Sequence, residues 1–107
     1  MPSYKHHIVD QGEFTHAPGK VVCVGRNYAE HAKELGNAVP SSPLLFIKPV
    51  TAIVAMGEPL QLPEGFGACH HELEMALLIG QPLKKAAPDE CRTAIAGIGL
   101  ALDLTLR

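Results

Sequence analysis

The stretch His70-His71-Glu72-Leu73-Glu74-Met75-Ala76-Leu77-Leu78-Ile79-Gly80 limits what this chain can fold into more than any other. From Glu72 to Gly80 it predicts a buried strand, with Leu73, Met75, Leu77 and Ile79 on one side and Glu72, Glu74, Ala76 and Leu78 on the other. Residues two apart on a strand share a face and lie roughly 6–7 Å apart, from the ~3.3 Å rise per residue. Two carboxylates therefore aim at one place inside an apolar segment. Burying them with no positive charge nearby is costly. A hard divalent cation that takes oxygen ligands meets the need. A pair of exposed carboxylates on an edge strand is the alternative that the pattern leaves open.

Composition narrows the class. The 107 residues are 47% apolar and 19% charged, which describes one small globular domain rather than a disordered chain. A net charge of −2 gives no reason to expect nucleic acid or an anionic membrane surface. No apolar run approaches the roughly 18 residues of a membrane span, and Met1 to His7 lacks the apolar core of a signal peptide. Cys23, Cys69 and Cys91 are odd in number and widely spaced, as expected of reduced thiols in the cytoplasm.

Along the chain, residues 1–19 read as an irregular lead-in with room for a short strand. Lys20 to Val24 predicts a buried strand ending at Gly25. Asn27, with Glu30 three residues on, predicts the start of a helix that runs through Tyr28, His31, Ala32 and Leu35 to Gly36. His31 and Glu34 share a face of it. A carboxylate beside an imidazole makes it more basic and orients it to deprotonate water; on spacing alone, a mildly favourable pair on a solvated helix is the commoner case. Leu44 to Ile47 predicts a strand stopped by Lys48-Pro49, Thr51 to Val54 another, and Pro88-Asp89-Glu90 opens a short helix. Gly99 to Leu104 predicts a core strand that carries a third acidic residue, Asp103. Short strands punctuated by Gly and Pro indicate a mainly β, α+β architecture with few helices.

Cys69-His70-His71-Glu72 offers thiolate, imidazole and carboxylate donors of the kind zinc takes. Adjacent histidines on an extended chain point to opposite faces, so both cannot easily reach one ion. One of them is better suited to supporting a ligand or touching a substrate. Glu72, Glu74 and Asp103 together offer an all-carboxylate set for octahedral Mg²⁺ or Mn²⁺.

Four segments, taken in order, resemble the fumarylacetoacetate hydrolase family: Gly25-Arg26-Asn27-Tyr28-Ala29-Glu30-His31, Leu45-Phe46-Ile47-Lys48-Pro49, His70-His71-Glu72-Leu73-Glu74 and Leu102-Asp103-Leu104-Thr105-Leu106-Arg107. The likeness is to its small acylpyruvate hydrolase and oxaloacetate decarboxylase members and runs from about Lys20 to Arg107. It implies that Glu72, Glu74 and Asp103 bind Mg²⁺ or Mn²⁺, that His31 and Glu34 form the water-activating dyad, and that Arg107 holds the substrate. Tyr28 and His71 are the other candidate substrate contacts. The implied fold is a mixed β-roll with short helices, generally homodimeric, and the implied substrate is a small keto acid.

On this resemblance the expected reaction is metal-dependent cleavage of a C–C bond in a 2,4-diketo acid such as fumarylpyruvate or acetylpyruvate, giving pyruvate and a carboxylic acid. Oxaloacetate decarboxylation or tautomerisation is the alternative, because it needs the same stabilised enolate without attacking water. A non-catalytic metal-binding fragment is a further one. Residues 20–107 are expected to be the N-terminal part of one catalytic domain, without the later segment that carries an active-site lysine and a Gly-Thr-Pro loop. The sheet is then incomplete, with open edges.

Overall fold

The computed structural model describes residues 4–25 and 42–106. It divides into two compact units, one of residues 1–6 and 13–54 and the other of residues 7–12 and 55–107. Two-residue strands β1 (His7–Ile8) and β2 (Gly12–Glu13) pair in the lead-in. Asp10, at φ 64°, and Gly12, at φ 77°, provide the left-handed backbone for the reversal between them.

In the first unit β3 (Val21–Gly25) pairs antiparallel with β4 (Leu44–Lys48), Val21 facing Lys48 and Gly25 facing Leu44. The β-branched run Val21-Val22 and Val24 suits a pleated strand. Gly25 ends it where space is short: a Cβ there would stand 3.3 Å from Leu44 Cδ2. Pro49 closes β4 as expected, having no N–H for the ladder. The strand expected at Thr51 to Val54 does not form. Val50–Ala52 is a 3-10 turn, closed by Ala52 N–H donating to Pro49 O at 3.0 Å and Ile53 N–H to Val50 O at 3.1 Å. The local β-propensity of Thr51 and Val54 gives way to a turn nucleated by Pro49.

The second unit holds the sequence feature of greatest interest. Strand β6 (Leu73–Ile79) pairs antiparallel with β7 (Ile95–Leu102), and β5 (Cys69–His70) with β8 (Thr105–Leu106). β7 is shifted from the Gly99 to Leu104 stretch expected from sequence: it begins at Ile95, takes in Gly97 opposite Leu78 and Gly99 opposite Ala76, and ends at Leu102, so Asp103 lies just past it. A register irregularity at Leu78/Ile79 puts Ile79 opposite Ile95. Helix α1 (Pro88–Thr93) precedes β7. Pro88 opens it, Asp89 and Glu90 occupy the first turn, and Ala87 N–H donates to the Glu90 carboxylate at 3.4 Å. Gly80 N–H donates to Ala94 O at 2.8 Å, tying the end of β6 to the start of β7.

The alternation of β6 is as expected, but the strand is covered on one side only, that of the carboxylates. Leu73, Met75, Leu77 and Ile79 are exposed, while Glu72, Glu74, Ala76 and Leu78 are half-buried. On β7, Ile98, Leu100 and Leu102 are exposed in register with Leu77, Met75 and Leu73. Among the described residues Ala94, at 2% exposure, is the one buried apolar side chain. The periodicity marks a face built for burial, and the described residues do not bury it.

Candidate carboxylate site

Two residues of each strand separate the β5–β8 ladder from the β6–β7 ladder. His70 faces Thr105 and Leu73 faces Leu102. The register therefore carries across the gap unchanged, with Glu72 opposite Asp103 and His71 opposite Leu104. Asp103 N–H donates to Glu72 O at 2.9 Å, which holds the two strands together there. One continuous ribbon thus presents His70, Glu72 and Glu74 on one strand, and Thr105, Asp103 and Ala101 opposite them. All six are half-buried.

The ladder is interrupted because Glu72 is not in a strand conformation. Its φ is +25°, a region L-residues enter at a cost of about 1–3 kcal/mol and which clusters at functional sites. The Glu72 side chain is only 12% exposed, which excludes the reading of Glu72 as a solvated edge carboxylate. His70 Nδ1 stands 3.9 Å from Glu72 Oε1. Asp103 Oδ1 is buried, and its backbone carbonyl accepts from Thr105 Oγ1 at 2.9 Å.

Cross-strand neighbours lie roughly 5 Å apart between Cβ atoms, and like charges directly opposite one another destabilise a ribbon. At about 5 Å and an effective dielectric near 20, that repulsion is on the order of 3 kcal/mol. A cation at the same place reverses its sign. The donors are carboxylate oxygens, the set a hard divalent ion takes. Among the described residues no three His, Cys, Asp or Glu side chains are gathered closely enough to hold a metal as they stand. The fit to a cation accordingly lies in the donor chemistry and the register. Cys69 and His71, the other donors of the zinc reading, flank the face: His71 is exposed and Cys69 sits opposite Leu106.

His31, Glu34, Tyr28 and Arg107 lie outside the described residues. His70 is the residue near the carboxylates that the sequence reading did not select. Its signal was available: His70, Glu72 and Glu74 are spaced two apart, the period of one strand face.

The strain at Glu72 can be measured. In thermal melts Glu72→Gly is expected to be more stable than Glu72→Ala by about 1 kcal/mol, since both lose the carboxylate but only Gly takes φ +25° freely. Alanine melting above glycine would show that no strain resides there.

A family profile described as fumarylacetoacetate (FAA) hydrolase C-terminal matches residues 20–107. The oxaloacetate tautomerase YcgM of Escherichia coli is 53% identical over 97% of this chain and 48% of its own length. A mitochondrial oxaloacetate tautomerase of Arabidopsis thaliana is 47% identical over 82% of this chain and 40% of its own. A crystal structure of a fumarylacetoacetate hydrolase family protein from Yersinia pestis CO92 superposes with a TM-score of 0.90 at 50% identity, covering 96% of this chain and 48% of that one. The chain spans about half the length of the curated relatives it matches.

Proposed function

The chain belongs to the fumarylacetoacetate hydrolase family, and we propose that it supplies the carboxylate half of an enzyme site acting on oxaloacetate, chiefly as a tautomerase. The observation that carries this reading is the placement of Glu72 opposite Asp103, with Glu74 two residues on along the same face. The names of the relatives support the substrate: several are oxaloacetate tautomerases and one, from Dictyostelium discoideum, an oxaloacetate decarboxylase.

Glu72, Glu74 and Asp103 are the residues that would hold Mg²⁺ or Mn²⁺, whose positive charge would stabilise the negative charge developing on a keto-acid oxygen. In tautomerisation the enol loses its oxygen-bound proton and gains one at C3. We assign that transfer to His31, with Glu34 orienting its ring, and substrate contacts to Arg107, Tyr28 and His71. His70 keeps Glu72 in place. C–C hydrolysis of acylpyruvates is the second reading, supported by the water-activating role that the family resemblance implies for His31 and Glu34.

The test joins this chain to the other half of the E. coli relative and follows enol-oxaloacetate, oxaloacetate and acetylpyruvate while Mg²⁺ is titrated. Enol-to-keto conversion faster than acetylpyruvate cleavage, rising with Mg²⁺, is the expected result. Acetylpyruvate cleavage without oxaloacetate turnover would replace the first reading by the second. Turnover indifferent to chelation would remove the cation from both.

A further inference from the structure

Asp103 follows β7 and precedes β8, so it belongs to neither ladder. Two hydrogen bonds hold its backbone instead. Its N–H donates to Glu72 O at 2.9 Å, and its carbonyl accepts from Thr105 Oγ1 at 2.9 Å. A residue held at both its N–H and its C=O has little freedom to swing its Cα–Cβ bond, and that bond sets where the carboxylate points. The first hydrogen bond joins backbone groups and survives most substitutions. The second depends on one side chain. Thr105 is half-buried, and its cross-strand partner is His70, which stands beside Glu72. The pair next to the two acids therefore reaches one acid from each strand.

We propose that Thr105 is a positioning residue for the cation site, its hydroxyl holding the Asp103 carbonyl so that the carboxylate stays on the face of Glu72 and Glu74. A hydroxyl bonded to a nearby carbonyl shapes the chain locally where a ladder does not, and here the ladder is interrupted at Glu72, with its φ of +25°. Asp103 Oδ1 is buried, so its direction has to be set by the backbone that carries it. Thr93 makes the same bond away from any site: its Oγ1 donates to Asp89 O at 3.0 Å in α1, where the Asp89 carboxylate is exposed. The two bonds share their chemistry and differ in place. The inference rests on the cation reading of Glu72, Glu74 and Asp103, and holds whether the reaction is tautomerisation or hydrolysis.

The test uses the chain joined to the other half of the E. coli relative. Thr105→Val keeps the branched shape and loses the hydroxyl, Thr105→Ser keeps the hydroxyl, and Thr93→Val is the control. In calorimetric titration with Mg²⁺, Thr105→Val is expected to bind about ten- to a hundredfold more weakly, the loss typical of removing a group that orients a metal ligand. Thr105→Ser and Thr93→Val should stay close to wild type. Exchange of the Asp103 amide without metal is the second measurement, expected to be about fivefold faster in Thr105→Val and unchanged in Thr105→Ser. Thr105→Ala deletes the hydroxyl with less bulk and should match Thr105→Val in both. Unchanged Mg²⁺ affinity in Thr105→Val would overturn the proposal, as would an equal loss in Thr93→Val. A wild type that binds no Mg²⁺ would remove the cation reading itself. Faster exchange in Thr105→Val would then still show that the hydroxyl holds Asp103, and unchanged exchange would overturn that too.

Discussion

Asp103→Ala and Glu72→Ala, each made in the chain joined to the other half of the family domain, are expected to lower kcat/KM for enol-oxaloacetate by about a hundred- to a thousandfold. That is the size of loss seen when one group that stabilises developing negative charge is removed, roughly 3–4 kcal/mol. The two residues face one another across the ribbon, joined by the hydrogen bond from Asp103 N to Glu72 O. Their effects should therefore not add: the double variant is expected to be little worse than either single one, because both act through one charge centre. Calorimetric titration with Mg²⁺ should show the same non-additivity. Asp89→Ala is the control, since Asp89 is an exposed carboxylate paired with Arg92 at 2.8 Å on helix α1. Multiplied effects in the double variant would mean that Glu72 and Asp103 serve separate functions.

The second large effect concerns the 107 residues by themselves. The chain alone is expected to turn over oxaloacetate at least a thousandfold more slowly than the joined polypeptide, and adding the other half in trans should restore a measurable fraction. Among the described residues Leu73, Met75, Leu77, Ile98, Leu100 and Leu102 of the ribbon stand exposed, and a site held within about 0.5 Å needs its supporting residues packed. Activity of the isolated chain equal to that of the joined form would show that the carboxylate face is complete without further packing. The assay is a progress curve for enol decay at increasing concentrations of the other half.

The strand at Leu73–Ile79 was legible in sequence because its period of two is a property of the backbone itself. So was α1, where Pro88, Asp89 and Glu90 act within a single turn. The start of β7 was not, because Gly97 breaks a strand only where no partner holds it, and here Leu78 does. The strand expected at Thr51 to Val54 failed for the opposite reason: with Val50–Ala52 taken into a 3-10 turn, β-propensity had no ladder to enter. Two acidic residues spaced two apart told of a shared face, but their pairing with Asp103 depends on which strand comes alongside and in what register. Nor does alternation say which side of a strand is covered. That depends on what is packed against it, and much of the relatives' polypeptide lies beyond this chain.

Because the register runs unchanged through the interruption at Glu72, a substitution in this part of the molecule stays local, whereas a change of length does not. Between His70 and Leu73, or between Leu102 and Thr105, exchanging a side chain alters one position. Losing or gaining one residue there rotates everything beyond it by half a turn, sending Glu74 among the leucines and Met75 among the acids. Insertions and deletions in this lineage should therefore collect in the connection from Gly80 to Ala87, which leaves the ribbon's phase untouched.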